Sequence, residues 1–263
     1  MSVQIDLTGR TAAVTGGGRG LGKAIALTLA RAGANVWIGN RKEEQAKETV
    51  KEIQAMGGKA GYTVMDVSRF EDVQRFLDDA EKFGNGKIDI MVNNAGVIST
   101  DLFLDITPEE FKRLLDINVV GVSNTLQIAI KKMIPHKAGK IVVISSIAGR
   151  KGLGFVDHYC ATKAAAISLV QSAAYAAAPY HINVNSVAPG IIRTKMWEEI
   201  LDGIVPHGGN RDEVFDENIK KMIPLNKPQT EQDIADAVLF LCSDLANEIT
   251  GQTLNVDGGA IMC

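Results

Sequence analysis

The sequence predicts an α/β fold: one domain built on a doubly wound parallel sheet of about seven strands, with helices on both faces. Three observations predict it. Short β-branched and apolar runs alternate with longer stretches of helical periodicity from end to end. No Pro/Ser-rich linker or block of like charge divides the chain. At 263 residues the chain lies in the range of roughly 250 to 300 residues where a single core stops growing, so one domain over 1–263 fits.

The strands are expected at Ala12 to Val14, Val36 to Ile38, Tyr62 to Met65, Ile88 to Val92, Ile141 to Ile144, Ile182 to Val187 and Thr253 to Val256. Lys23 to Ala32, after the first strand, is helix-forming. After the third, Val73, Phe76, Leu77 and Ala80 repeat at helical spacing, and Ser68 with Glu71 three residues on reads as a capping box. Thr107, Pro108 and Glu110 supply an N-cap, a proline at the first helical position and the reciprocal acid. The helical patterns from Ile117 to Ile130 and from Ala164 to Ala178 carry no charged side chain, so a solvent-facing side would be unusually apolar.

Composition narrows the function classes. Basic and acidic residues number 28 and 31, for a net charge of −3, and 46% of the chain is apolar. With no cluster of five or more basic residues, a nucleic-acid partner is not expected. Cys160, Cys242 and Cys263 are too few and too scattered for a disulfide framework or a paired metal site, which points to a reducing compartment, the cytoplasm. Met1 to Leu7 includes Asp6 and lacks a basic residue, so no secretory signal is expected. The uncharged run between Lys163 and His181 is broken by Ser168, Gln171, Ser172 and Pro179. It reads as a helix buried against protein, not as a membrane span. His136, His158, His181 and His207 show no tight ligand spacing, so no metal site is expected.

Parallel sheets of this kind bind ligands at the carboxyl ends of their strands. There the first strand runs directly into Thr15-Gly16-Gly17-Gly18-Arg19-Gly20-Leu21-Gly22, ahead of the first helix. Glycines let the backbone turn tightly and allow a pyrophosphate to approach the free N–H groups and positive dipole of the helix start. Strand, glycine turn and helix in this order are the dinucleotide-binding pattern of a Rossmann-type fold. The NAD-binding version has an acid about 20 residues downstream for the ribose 2′-hydroxyl. Here the second strand ends Ile38-Gly39-Asn40-Arg41, and Glu43 and Glu44 fall in the next helix. Arg41 and Arg19 are candidates for a 2′-phosphate, the alternative being two solvated arginines. The expected cofactor is therefore NADP(H), with NAD(H) second.

The TGxxxGxG spacing, Asn93-Asn94-Ala95-Gly96, Ser145-Ser146, Tyr159-Cys160-Ala161-Thr162-Lys163 and Pro189-Gly190 occur in that order. Together they make the chain resemble the short-chain dehydrogenase/reductase family over essentially its whole length. The resemblance implies a cofactor site formed by Gly16, Gly18, Arg19, Gly20, Leu21, Gly22, Asn40 and Arg41. It implies Asp66 and Val67 beside the adenine, and Asn93, Ala95 and Gly96 along the cleft. Pro189, Gly190, Ile192 and Thr194 would cover the nicotinamide. It also implies a catalytic set of Asn118, Ser146, Tyr159 and Lys163, and a homotetramer.

The chemistry of that set can be argued from the residues. Tyr159 and Lys163 stand four apart at the start of a predicted helix and share one face. Lowering a tyrosine pKa from about 10 towards neutrality needs roughly 4 kcal/mol of phenolate stabilisation. One ammonium about 4 Å away in a partly screened site supplies about that much. Tyr159 would then exchange a proton with a carbonyl oxygen while the cofactor exchanges hydride with its carbon, and Ser146 would orient that oxygen. Asn118, mid-helix, is either part of a proton path from Lys163 or a tolerated polar residue. His158 and Cys160 beside Tyr159 read as packing residues.

The expected function is a soluble NADP(H)-dependent oxidoreductase interconverting a ketone and its secondary alcohol. The stretch Pro189 to Trp197 resembles that of acetoin and polyol enzymes and implies a small hydroxyketone, sugar or polyol. The alternatives are a 3-oxoacyl-thioester reductase, a hydroxysteroid dehydrogenase, or a non-catalytic NADP(H) sensor. Met196 to Ile223 is far longer than the usual connection of about 2 to 6 residues. Met196, Trp197, Ile200, Leu201 and Ile204 fall close to helical spacing, so residues 196–223 are expected to form a mobile substrate lid, with Gly203, Gly208 and Gly209 as hinges.

Overall fold

Seven strands, every neighbouring pair parallel, form one sheet in the computed structural model, which describes residues 4–205 and 209–262. The strands are β1 (Thr11–Thr15), β2 (Asn35–Asn40), β3 (Ala60–Val64), β4 (Ile90–Asn93), β5 (Gly139–Ile144), β6 (Ile182–Pro189) and β7 (Thr253–Val256). Their order across the sheet is β3-β2-β1-β4-β5-β6-β7. The chain winds outward from β1 in one direction, then crosses back to β4 and winds in the other. The carboxyl ends of β1 and β4 thus flank the point where the order reverses, where such sheets hold ligands.

Burial on both faces explains why the central strands are continuous apolar runs. All five residues of β1 and all four of β4 are buried. The helices are α1 (Gly20–Arg31), α2 (Glu43–Ala55), α3 (Phe70–Phe83), α4 (Pro108–Leu115), α5 (Gly121–Met133), α6 (Asp157–Ala177), α7 (Lys195–Ile204), α8 (Arg211–Met222) and α9 (Glu231–Cys242). On one face, Ile25 and Leu29 of α1, Ile53 of α2 and Ile234 and Val238 of α9 pack on Val14, Ile38 and Val92. On the other, Val73, Phe76 and Leu77 of α3, Leu126 of α5 and Val170 of α6 pack on Met91, Ile141 and Val143. Fully burying each such side chain contributes about 1.5 to 3 kcal/mol.

Helix starts depart from the sequence in an instructive way. Thr107 caps α4 by accepting from the Glu110 backbone N–H at 3.1 Å, but the Glu110 carboxylate turns to Arg113 instead of closing a capping box. Ser68 does not cap α3, which begins two residues later at Phe70. Its N–H and hydroxyl both donate to Asp66 Oδ1, at 2.9 and 2.7 Å, a local turn that competes with helix. The complete capping box is at α9, between Thr230 and Asp233. Between α4 and α5 the helix continues through one π-helical turn, Asp116–Val120.

A third apolar cluster lies over the carboxyl end of the sheet. Trp197, Ile200 and Leu201 of α7 and Phe215 and Ile219 of α8 are buried there with Leu114 and Tyr159. Arg211 pairs with Glu198 and Asp202, and Arg193 with Glu198 and Asp212. These are exposed pairs of about 0 to 1 kcal/mol each, so the apolar packing carries the contact. Gly203 lies inside α7, where a Cβ would stand 2.9 Å from Thr100 Cβ, a close-packing position. Gly208 and His207 lie outside the described residues.

Candidate active site

The glycine turn is held by long-range bonds. Thr15 Oγ accepts from the backbone N–H groups of Asn94 (3.0 Å) and Ala95 (3.1 Å). The Asn94 amide donates to the carbonyls of Thr15 (3.1 Å) and Gly16 (3.3 Å). The loop after β4 therefore braces the loop after β1 across the switch point. Gly16 takes φ +66°, and a Cβ on Gly22 would come within 2.2 Å of the Gly16 carbonyl oxygen. Only glycine fits there, because the helix start and the turn approach backbone to backbone.

One cleft of about 520 Å³ runs from this turn to α6 and α7. It is lined by Gly16, Arg19, Gly20, Leu21, Gly22, Asn40, Arg41, Asp66, Val67, Ala95, Gly96, Ser146, Tyr159, Lys163, Pro189, Gly190, Ile192 and Thr194, all expected from the sequence. Gly18, Asn93 and Asn118 are not on its wall. Gly18 packs behind it, where a Cβ would meet the Asn40 side chain at 2.7 Å. Asn93 is buried at the end of β4, its amide donating to the Val122 carbonyl at 3.4 Å.

At the ribose end, Arg19, Arg41 and Lys42 line the cleft, and none makes an ion pair with a described residue. The acids that follow Arg41 in sequence, Glu43 and Glu44, are occupied elsewhere. Glu43 accepts from the Tyr62 hydroxyl at 2.9 Å, which with Lys47 holds its carboxyl below the usual range, and Glu44 pairs with Lys47.

At the other end, the start of α6 brings Tyr159 and Lys163 one turn apart, both buried. The Lys163 Nζ stands 5.5 Å from the Tyr159 ring centroid and donates to the Ile144 carbonyl at 2.9 Å. Burial lowers its pKa to about 8. Burial also raises the Tyr159 phenol well above its ordinary value, with the Ser146 hydroxyl pulling weakly the other way. The lowering expected from the ammonium is not the direction the folded chain sets, since desolvation dominates at this buried phenol. Ser146 Oγ accepts from the Ala148 N–H at 3.1 Å, which fixes its rotamer at the carboxyl end of β5. Ser145 Oγ donates to the Lys163 carbonyl at 3.0 Å and so ties α6 to the same strand.

Asn118 sits in the π-helical turn and is buried. Its Oδ1 accepts from the Val97 N–H at 2.9 Å, while its amide donates to the Val97 carbonyl at 2.8 Å and to Thr162 Oγ at 3.1 Å. These three bonds tie the side chain to the backbone beside Gly96 and to Thr162 of α6. The bracing roles of Thr15, Asn94, Ser145 and Thr162 were not expected from the sequence. His158 packs against Phe103 and Phe111, ring centroids 5.3 and 4.7 Å away, and Cys160 is a buried thiol whose pKa is raised by burial. Among the described residues, no cluster of three His, Cys, Asp or Glu could hold a metal ion, and no helix is long and apolar enough to cross a membrane.

A doubly wound sheet with a glycine turn at its switch point and one elongated cleft defines a dinucleotide-binding α/β protein. The family model described as enoyl-(acyl carrier protein) reductase matches residues 16–260. The chain is 36% identical over 258 residues to 3-oxoacyl-(acyl-carrier-protein) reductase FabG of Aquifex aeolicus (strain VF5), covering 98% of this chain and 99% of that one. It is 36% identical over 259 residues to L-2,3-butanediol dehydrogenase of Corynebacterium glutamicum, covering 96% and 98%. The crystal structure of a short-chain type dehydrogenase/reductase from Mycobacterium marinum superposes with a TM-score of 0.90 at 34% identity, over 99% and 98% of the two chains. The chain belongs to the short-chain dehydrogenase/reductase family and is an oxidoreductase acting on the CH–OH/C=O pair with a nicotinamide cofactor.

Proposed function

We propose that this enzyme reduces a ketone to its secondary alcohol, and reverses the step, with NADP(H) preferred over NAD(H). The observation that carries the reading is the convergence of Ser146, Tyr159 and Lys163 on one end of a cleft whose other end holds Arg19, Arg41 and Lys42, none ion-paired with a described residue. The residues fit the cofactor: the backbone approach of Gly22 to Gly16 leaves the pyrophosphate a wall without side chains, and the three cations suit a 2′-phosphate. When bound, the cofactor supplies or accepts hydride at the carbonyl carbon.

Tyr159 delivers its phenol proton to the carbonyl oxygen that Ser146 orients, and takes one back in oxidation. Lys163 lies beneath the phenol and supports the phenolate that results. Asn118 is a positioning residue, setting Val97 and the α6 backbone. Residues 196–223 act as a lid whose apolar inner face closes over substrate, all within one domain over 1–263. The uncharged stretches Ile117 to Ile130 and Ala164 to Ala178 support a homotetramer, and the buried free thiols of Cys160 and Cys242 suit the cytoplasm.

Steady-state turnover of a carbonyl and alcohol panel at matched NADPH and NADH tests the reading. The expected result is NADPH-favoured turnover that falls by about 10² to 10⁴ in Tyr159→Phe with NADPH affinity retained. Near-normal kcat in that variant would remove Tyr159 as the acid.

A further inference from the structure

The cleft changes character beyond the proposed reacting groups. Past Ser146 and Tyr159 its walls are Ile98, Leu153, Phe155, Met196, Trp197 and Met222. The remaining polar side chains at this end, Thr194 and Lys195, stand where the chain leaves β6 to begin α7. Trp197 is fixed edge-on against Phe215, ring centroids 5.5 Å apart at 90°, and lies in the buried cluster with Ile200 and Leu201. Met196 and Met222 add flexible apolar side chains to this wall, and the indole N–H of Trp197 is the single donor its aromatic and aliphatic members carry.

We infer that the substrate carries an apolar body of several carbons next to its reacting carbonyl, in the manner of a medium-chain or alicyclic ketone, and is not polyhydroxylated. This rests on the ketone/alcohol reading above and narrows it to a substrate class. A sugar or polyol entering this end would bury most of its hydroxyls against apolar walls, and each one left unpaired costs up to about a hundredfold in kcat/KM. Each methylene buried against these walls instead gains about fourfold.

The test uses the intact protein with NADPH and a straight 2-alkanone series from four to ten carbons, together with cyclohexanone and dihydroxyacetone. The expected result is kcat/KM rising about fourfold per carbon until the cleft is filled, with dihydroxyacetone turned over at least tenfold more poorly than 2-butanone. Phe155→Ala and Met222→Ala should each depress kcat/KM for the longer ketones more than for 2-butanone, a split that general loss of fold would not produce. A flat or falling series with dihydroxyacetone preferred would overturn the apolar-body assignment and leave the ketone/alcohol reading standing. Tight NADPH binding with no turnover of any carbonyl would overturn both.

Discussion

Lys163 is buried without a carboxylate, and its ammonium rests on one backbone carbonyl. Its native pKa of about 8 lies below the ordinary 10.5, so between those values the unfolded chain binds a proton that the native chain has lost. Stability contributed by this site therefore rises with pH across the window of about 8 to 10.5 and is lost as pH falls through about 8. Lys163→Met should flatten that part of the profile of Tm against pH; an unchanged slope would contradict the burial argument. At the opposite end of the cleft, Arg41→Asp should shift the ratio of kcat/KM for NADPH over NADH towards NADH by about ten- to a hundredfold. A wild-type enzyme that prefers NADH would refute the assignment of the three cations. Residues that act through local strings, such as the glycine turn and the Tyr159/Lys163 pair, were legible in the sequence. The bracing roles of Thr15, Asn94, Ser145 and Thr162 were not, because the groups they tie together lie 18 to 80 residues apart along the chain and such side-chain bonds leave no periodic trace.

Elements were legible where periodicity or apolar runs were strong: seven strands were expected and seven form, in the places expected to within about two residues. Caps were less so, since Ser68 and Thr230 offer similar local chemistry and only the surrounding turn decides which one starts a helix. Thr230→Ala removes the hydroxyl that accepts from Asp233 N–H at 3.1 Å and should cost about 0.5 to 2 kcal/mol, read as a lower urea midpoint at constant m. The segment carrying α7 and α8 was expected to be helical and apolar on its inner face, and it is. If it also opens as a lid, amide exchange in α7 and α8 should slow when NADPH and a slowly turned-over ketone fill the cleft. Equal exchange with and without ligand would identify a permanently packed roof.

At the scale of the whole molecule, the outer side of α6 presents Ala161, Ala164, Ser168, Gln171, Ser172 and Tyr175 to solvent, with Tyr175 86% exposed and no charge among them. Such a stripe on a twenty-one-residue helix suits a symmetric interface, in which the same patch meets itself. Ser172→Glu should set two like charges against each other across the axis, and sedimentation equilibrium should then report a smaller species than the wild type. A monomeric, fully active wild type would exclude the interface. The π-helical turn at Asp116–Val120 has a different reach. It joins α4, whose Leu114 belongs to the cluster over the cleft, to α5, whose Val122, Leu126 and Ala129 belong to the cluster behind the sheet. A π turn holds one residue more than the α-helical turn it replaces, so it works as a phase shifter of about 100° between two halves of one rod. Deleting any single residue from 116–120 would leave the rod hydrogen-bonded, yet it would swing the α5 stripe off the sheet or Leu114 off the roof. The distance in sequence between cleft and core is therefore fixed to the residue, and a length change tolerated in an ordinary helix would here uncouple the two.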